Sequence, residues 1–405
     1  MTQPAIRIPT DRQRRLDPPV DLAELRGKTP IRRLEYPDGH VGWFVTSHVL
    51  ARAVLADRRM SIRDSMSRSP VDNHIRREAF TRLAEQGNPR VASGYAGNFL
   101  NMDPPDHTRF RRMLASEFTP RRIEGLRPRV VRIVDDQLDL IEAHGMPADL
   151  IERYALPIPS LVICEILGVP HDVRDHFQAW STILEDPRTE PGDLADAYDE
   201  FTRFMYDLVH SPDDLPSDGL IPRLADAGDL TTDEVVGVGV LLVAAGHQTV
   251  ANMIGLSVYA LLADRRRWDL FRTDDGSVAS GVEELLRFLT IFQLGALTRT
   301  ALDDIPIGDV TISAGESVTV SLSAANRDPE MFSDPTTLDL LRNASGHVAF
   351  GHGIHVCIGQ HLARVELEAS LTGLASRFPE LDLAVPFDEV PMHPDHESQA
   401  GLEAL

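Results

Sequence analysis

The run Phe350-Gly-His-Gly-Ile-His-Val-Cys-Ile-Gly359 constrains this chain more than any other segment. It surrounds Cys357, one of only two cysteines, with three glycines and two histidines, and a helical pattern begins directly behind it. Gly351 and Gly353 open backbone conformations closed to other residues, and Gly359 lets the chain pass close to a flat object. A helix N-terminus offers unsatisfied N–H groups and a positive partial charge, both of which stabilise an anionic sulfur. Cys357 is therefore set as a thiolate that ligates a metal.

The rest of the chain must build a large fold around that loop. With 405 residues, 42% hydrophobic and 25% charged, it has globular composition and length for a sizeable core. No linker, repeat or low-complexity stretch divides it, so a single domain over residues 1–405 is expected. The longest apolar stretch, Val235 to Ala245, is short for a bilayer and is interrupted by Gly237 and Gly239. The opening residues lack the apolar region of a signal peptide, so a soluble, cytoplasmic protein without membrane contact is expected. A formal net charge of −22 excludes the basic footprint that nucleic acid requires. Cys164, inside the apolar segment Leu161 to Gly168, reads as a buried inert thiol.

Helical periodicity dominates, with two β-rich patches. Residues 31–46 predict a hairpin about Pro37-Asp38-Gly39. Residues 305–322 predict a second, Ile305 to Ile312 against Ser317 to Leu322, turning at Ala314-Gly315. Val130, Ile133, Val134, Leu138 and Ile141 fall on one helical face, and Thr231 to Glu234 forms a capping box that opens the most apolar helix.

Thiolate is also the proximal haem ligand that pushes electron density onto iron and favours O–O cleavage, so the loop reads as a haem-thiolate site. It resembles the haem-binding signature F-G-x-G-x-H-x-C-x-G of the cytochrome P450 monooxygenases, and every fixed position matches. The resemblance covers residues 30–390 in consistent order. It implies a mainly α fold with small β-sheets, holding haem b between a long central helix and the cysteine loop. Cys357 would be the axial ligand, with Phe350, Gly351, His355 and Gly359 around the cofactor.

Ala245-Gly-His-Gln-Thr249 lies in the apolar helix, where Gly246 costs about 1 kcal/mol relative to alanine. Taken alone, it fits a close helix–helix contact with Thr249 bonded to its own preceding turn. It also resembles the family's A-G-x-[DE]-T oxygen-binding motif, which assigns Ala245 and Gly246 to the cofactor and Thr249 to proton delivery. Gln248 stands where the family has a carboxylate, and an amide cannot relay a proton by titrating. Glu284 and Arg287, at i and i+3, would in isolation be an ordinary surface pair. In context they resemble the family's structural E-x-x-R pair. Thr337 replaces the arginine the family usually adds downstream, with Arg342 nearby in sequence.

Asp103-Pro-Pro-Asp-His107-Thr-Arg-Phe-Arg111 resembles the family's D-P-P-[DE]-H-x-x-x-R helix start, implying His107 and Arg111 on the haem propionates. Arg299 and His355 match two further propionate positions. Family position puts Val240, Val243, Gln293 and Leu294 along the substrate, which reads as an apolar organic molecule. The irregular residues 62–100 suggest a lid, and the aromatics of residues 174–210 suggest a roof or core packing. Arg109, Arg112, Arg121, Arg122 and Arg364 either steer an acidic electron donor or are scattered solvated charges.

The expectation is a monooxygenase inserting one atom of O2, with NAD(P)H electrons arriving through ferredoxin reductase and ferredoxin. The alternatives are a peroxide-driven peroxygenase or phenol-coupling enzyme on the same haem, and a non-catalytic haem sensor or carrier. The chain stops at Leu405, where the family usually continues a few residues.

Overall fold

The two short strand runs at 31–46 fold as the expected hairpin. β1 (Ile31–Glu35) and β2 (Val41–Val45) pair antiparallel, with Gly39 supplying the positive φ of the turn. In the computed structural model the described residues are 4–63, 68–71, 78–79, 81–83, 85, 89–170, 179–180, 183, 189–211, 216, 218–272, 277–295, 298–394 and 399–405. Much of the expected lid at 62–100 and of the roof at 174–210 falls outside them.

The second hairpin differs from expectation. β5 (Ile305–Ile307) and β6 (Val310–Ile312) close on each other through Gly308-Asp309, with Gly308 at φ +57°. β7 (Ser317–Val320) instead joins a five-stranded sheet in the order β1-β2-β7-β4-β3, where β3 is Met60–Ser61 and β4 is Arg299–Ala301. It runs parallel to β2 and antiparallel to β4. A two-residue Gly-Asp loop suits a hairpin by its backbone chemistry, and β7 gains two partners by leaving.

The chain divides into two compact units, residues 1–72, 144–151 and 252–405, and residues 73–143 and 152–251. The first carries the sheets, whose core packs Val45, Val54, Ile305, Val318 and Val320 together. It also carries helices Ser277–Leu289 and Gln360–Arg377, which pack on each other. The second is helical. Its axis is Thr232–Gly246, opened by the expected capping box, with Thr231 and Glu234 exchanging side-chain and backbone bonds. Helices Pro89–Ala96, Pro157–Leu167, Pro191–His210 and Leu220–Ala227 pack against it. The 25-residue helix Pro120–His144 buries Val130, Val134, Leu138 and Ile141 on one stripe, as its periodicity predicts. One helical run, Thr232–Leu262, is long and apolar enough to cross a membrane, and 67% of its most apolar window is buried within the protein.

Candidate active site: the cysteine loop and the interrupted helix

The cysteine loop is built by backbone bonds that only its glycines permit. Gly351 (φ +74°) donates to the Val348 carbonyl, and Gly353 (φ +77°) begins a short turn over Gly353–His355. A Cβ at Gly353 would overlap the Leu55 carbonyl, so the loop lies flush on the end of the His48–Ala56 helix. Cys357 N–H donates to Phe350 O at 2.9 Å and closes the loop. Gly359 then caps the Gln360–Arg377 helix. Cys357 is exposed, and a Cβ built on Gly359 would meet only the Cys357 sulfur, at 3.9 Å. The thiol thus stands at a helix start beside space that no protein atom requires.

Glu284 and Arg287 are wholly buried and joined by two 2.7 Å bonds. Arg287 also donates to the carbonyls of Asn326 (2.8 Å) and Pro335 (3.0 Å). Arg342 completes the group, its Nε donating to Glu284 Oε1 at 3.1 Å, while Thr337 offers only its carbonyl. Asn326 passes the network on, its Oδ1 accepting from Val348 N–H at 2.7 Å. The pair therefore reaches the loop through Asn326, and Arg342 supplies a second cation on Glu284. A second cluster, absent from the sequence reading, joins Glu283 to His347 (3.1 Å) and to Arg364, whose guanidinium lies 4.6 Å above the Phe350 ring.

In the helical unit the apolar helix breaks at one residue. It runs Thr232–Gly246, is interrupted at His247, and resumes as Gln248–Leu262. Thr249 Oγ1 donates to the Ala245 carbonyl at 2.8 Å, and the His247 ring bonds the Leu156 carbonyl at 3.1 Å. Ala244 and Ala245 are exposed in a helix otherwise buried from Val235 to Val243.

The glycines of this helix separate by cause. A Cβ at Gly237 would overlap the Gly97 backbone, so helix packing requires that glycine, whereas one at Gly239 would press only on the terminal methyl of Met205, which can swing away. At Gly246 a Cβ would meet only Ile163 Cδ1, at 3.8 Å, so packing does not require that glycine. At Gly246, as at Gly359 in the other unit, an added Cβ would make only ordinary contact with one described side chain. Among the described residues no group of three or more His, Cys, Asp or Glu is placed to hold a bare metal ion. An exposed thiol outside any such group suits a metal that brings its other ligands with it.

The cationic candidates lie in both units. His107 is 2% exposed on the Asp106–Ala115 helix, one turn before half-buried Arg111. Burial, then the Arg111 charge, lower the His107 pKa against the pull of Asp103. Arg299 is 2% exposed in β4, donating to the Thr298 carbonyl, and His355 is half-buried in the loop.

The expected substrate residues are all buried: Val240, Val243 and Leu294, and Gln293, whose amide is taken up by Arg12 and the Leu289 carbonyl. Of the five arginines weighed as a donor patch, Arg109 pairs with Glu234, Arg122 with Glu117 and Arg364 with Glu283. Arg112 and Arg121 are exposed.

Comparison with known proteins gives one answer throughout. The sequence profile of the family described as Cytochrome P450 matches residues 278–397. The chain is 40% identical to Cytochrome P450-SU2 of Streptomyces griseolus, over 98% of this chain and 94% of that one. It is 39% identical to pentalenic acid synthase of Streptomyces avermitilis, over 100% and 99%. The crystal structure of GfsF superposes with a TM-score of 0.88 at 37% identity, covering 100% of this chain and 99% of that one.

Proposed function

The chain belongs to the cytochrome P450 monooxygenases, and from that premise we propose that it inserts one atom of O2 into an apolar organic molecule in bacterial secondary metabolism. Its electrons would come from NAD(P)H through a ferredoxin reductase and a ferredoxin, in the cytoplasm. A relative named for making pentalenic acid supports the metabolic setting.

The family's cofactor is haem held by a cysteine thiolate, which supplies the iron on which dioxygen is reduced and cleaved. Cys357 would hold the iron of haem b, and the observation that carries this is its exposure at a helix start beside the clear face of Gly359. His107, Arg111, Arg299 and His355 would hold the propionates, whose charge needs cationic partners away from water. Ala245 and Gly246 would admit the ring at the clear stretch of the apolar helix. Thr249 spends its proton on the Ala245 carbonyl, so its oxygen lone pairs would accept from a water and orient that water's second proton. Phe350 and Gly351 would shape the thiolate side, and the substrate would be selected by apolar contact.

The test is the absorption spectrum of the reduced protein under carbon monoxide. The red-shifted Soret band of thiolate ligation is expected, and it should disappear in Cys357→His. A histidine-like band in the unmutated protein would overturn the assignment. Thr249→Ala should keep haem content while diverting most reducing equivalents to peroxide, since losing a proton-transfer group slows the productive step by roughly 10²–10⁴-fold. Unchanged coupling would mean that protons arrive by another route.

Gln248 favours a second reading, because an amide at this position leaves peroxide as the oxidant that needs least proton relay. Turnover with hydrogen peroxide alone, matching the rate with NADPH and redox proteins, would put that reading first.

A further inference from the structure

The thiolate loop is tied at its two ends by one carboxylate that takes no part in the buried Glu284–Arg287 network. Glu283, on the Ser277–Leu289 helix, accepts from His347 Nε2 at 3.1 Å and from Arg364, through Nε and through Nη2 at 3.1 Å. The first partner stands just before the loop and the second just after it. His347 Nδ1 accepts the Ala349 N–H at 3.1 Å, which fixes the tautomer: the proton sits on Nε2 and points at Glu283. Arg364 is held as well by the Gln360 carbonyl (3.0 Å) and lies over the ring of Phe350, the first residue of the loop. A guanidinium fixed over an aromatic face holds that ring electrostatically as well as by contact.

We propose that Glu283 is a positioning residue that clamps the entrance and exit of the Cys357 loop, fixing the distance across which the thiolate is presented. The proposal rests on the reading of Cys357 as the haem ligand. Burial works to raise the Glu283 pKa, but hydrogen bonds from His347 and Arg364 and the Arg364 charge hold it down at about 2, so the clamp is ionised at pH 7. The bidentate fork of Arg364 and the planar stack on Phe350 are features a lysine cannot reproduce.

The experiment follows the reduced carbon-monoxide complex as its thiolate Soret band converts to the thiol- or histidine-type band in mild urea. Far-UV circular dichroism under the same conditions reports global unfolding. Glu283→Gln keeps the volume and removes the charge, and Arg364→Lys keeps the charge and removes the fork and the plate. Both should speed conversion about tenfold, the equivalent of one charge-assisted hydrogen bond, with the unfolding midpoint little changed. Glu24→Gln, which removes an exposed pair with Lys28, should convert at the parent rate. A parent protein that shows no thiolate band overturns the ligand reading and the clamp together. A thiolate band in the parent, with conversion unchanged in Glu283→Gln, overturns the clamp alone. Should Glu283→Gln fail to fold, unchanged conversion in Arg364→Lys overturns it equally.

Discussion

His247 is the residue on which the local geometry of the Ala245–Thr249 segment turns. It interrupts the apolar helix, is 2% exposed, and its Nε2 bonds the Leu156 carbonyl at 3.1 Å while Nδ1 has no hydrogen-bond partner among the described residues. Burial, partly countered by the Leu156 bond, lowers its pKa to about 4, so the ring is neutral at pH 7 and donates from Nε2. An unfolded histidine titrates near 6.5. Between those values the unfolded chain binds the proton that the folded chain refuses. The stability attached to His247 is therefore complete above about pH 6.5 and is lost as pH falls to about 4. The full loss is on the order of 3 kcal/mol. His247→Gln should remove that acid-side slope, read as the difference between urea midpoints of the two proteins across the same pH range. Parallel curves would show that His247 carries no linked proton. His107, whose pKa is also lowered, stays common to both proteins and cancels.

At the scale of elements, the buried Glu284–Arg287 pair locks the Ser277–Leu289 helix to the segments that approach the cysteine loop. Arg287→Ala would leave Glu284 buried with only Arg342 for charge, and a cost of about 3–5 kcal/mol is expected, enough to abolish haem-loaded protein. Arg342→Ala should cost less, about 1–3 kcal/mol, because Arg287 remains. Thermal melts of the two variants check both the sizes and the order. The acid and base of the pair were legible because i and i+3 share a helix face. Arg342 was legible only as a nearby candidate to stand in at Thr337, and its contact was not, since it reaches Glu284 from 58 positions downstream through a segment without periodicity. The same limit governs the second hairpin. Gly308-Asp309 and Ala314-Gly315 are both turn chemistry, and the choice was made by β7 pairing with β2, some 275 residues earlier by the Trp43–Val318 register. Glu283 escaped notice for a related reason. Its partners, His347 and Arg364, stand on either side of a motif that drew attention to itself.

For the molecule as a whole, the formal net charge of −22 works against any acidic electron donor at long range. A local basic patch would have to overcome it, and Arg109, Arg122 and Arg364 already face carboxylates. The rate of reduction by an acidic ferredoxin is therefore expected to stay level or rise as salt increases through the range where the Debye length shrinks below about 10 Å. A steep fall with salt in stopped-flow reduction would show that Arg112 and Arg121 steer strongly enough to dominate. Fold class and family were legible because helical period and a dense glycine–cysteine motif are local signals. The two-unit division was not, since the segments of each unit interleave along the chain. The contrast between the two thiols has a practical consequence. Cys357 is exposed and Cys164 is fully buried, so an alkylating reagent should add one label to chains that lack cofactor and none to chains whose sulfur is bound to iron. Intact mass would then count cofactor loading molecule by molecule, with Cys164 silent until the protein is unfolded to calibrate the scale.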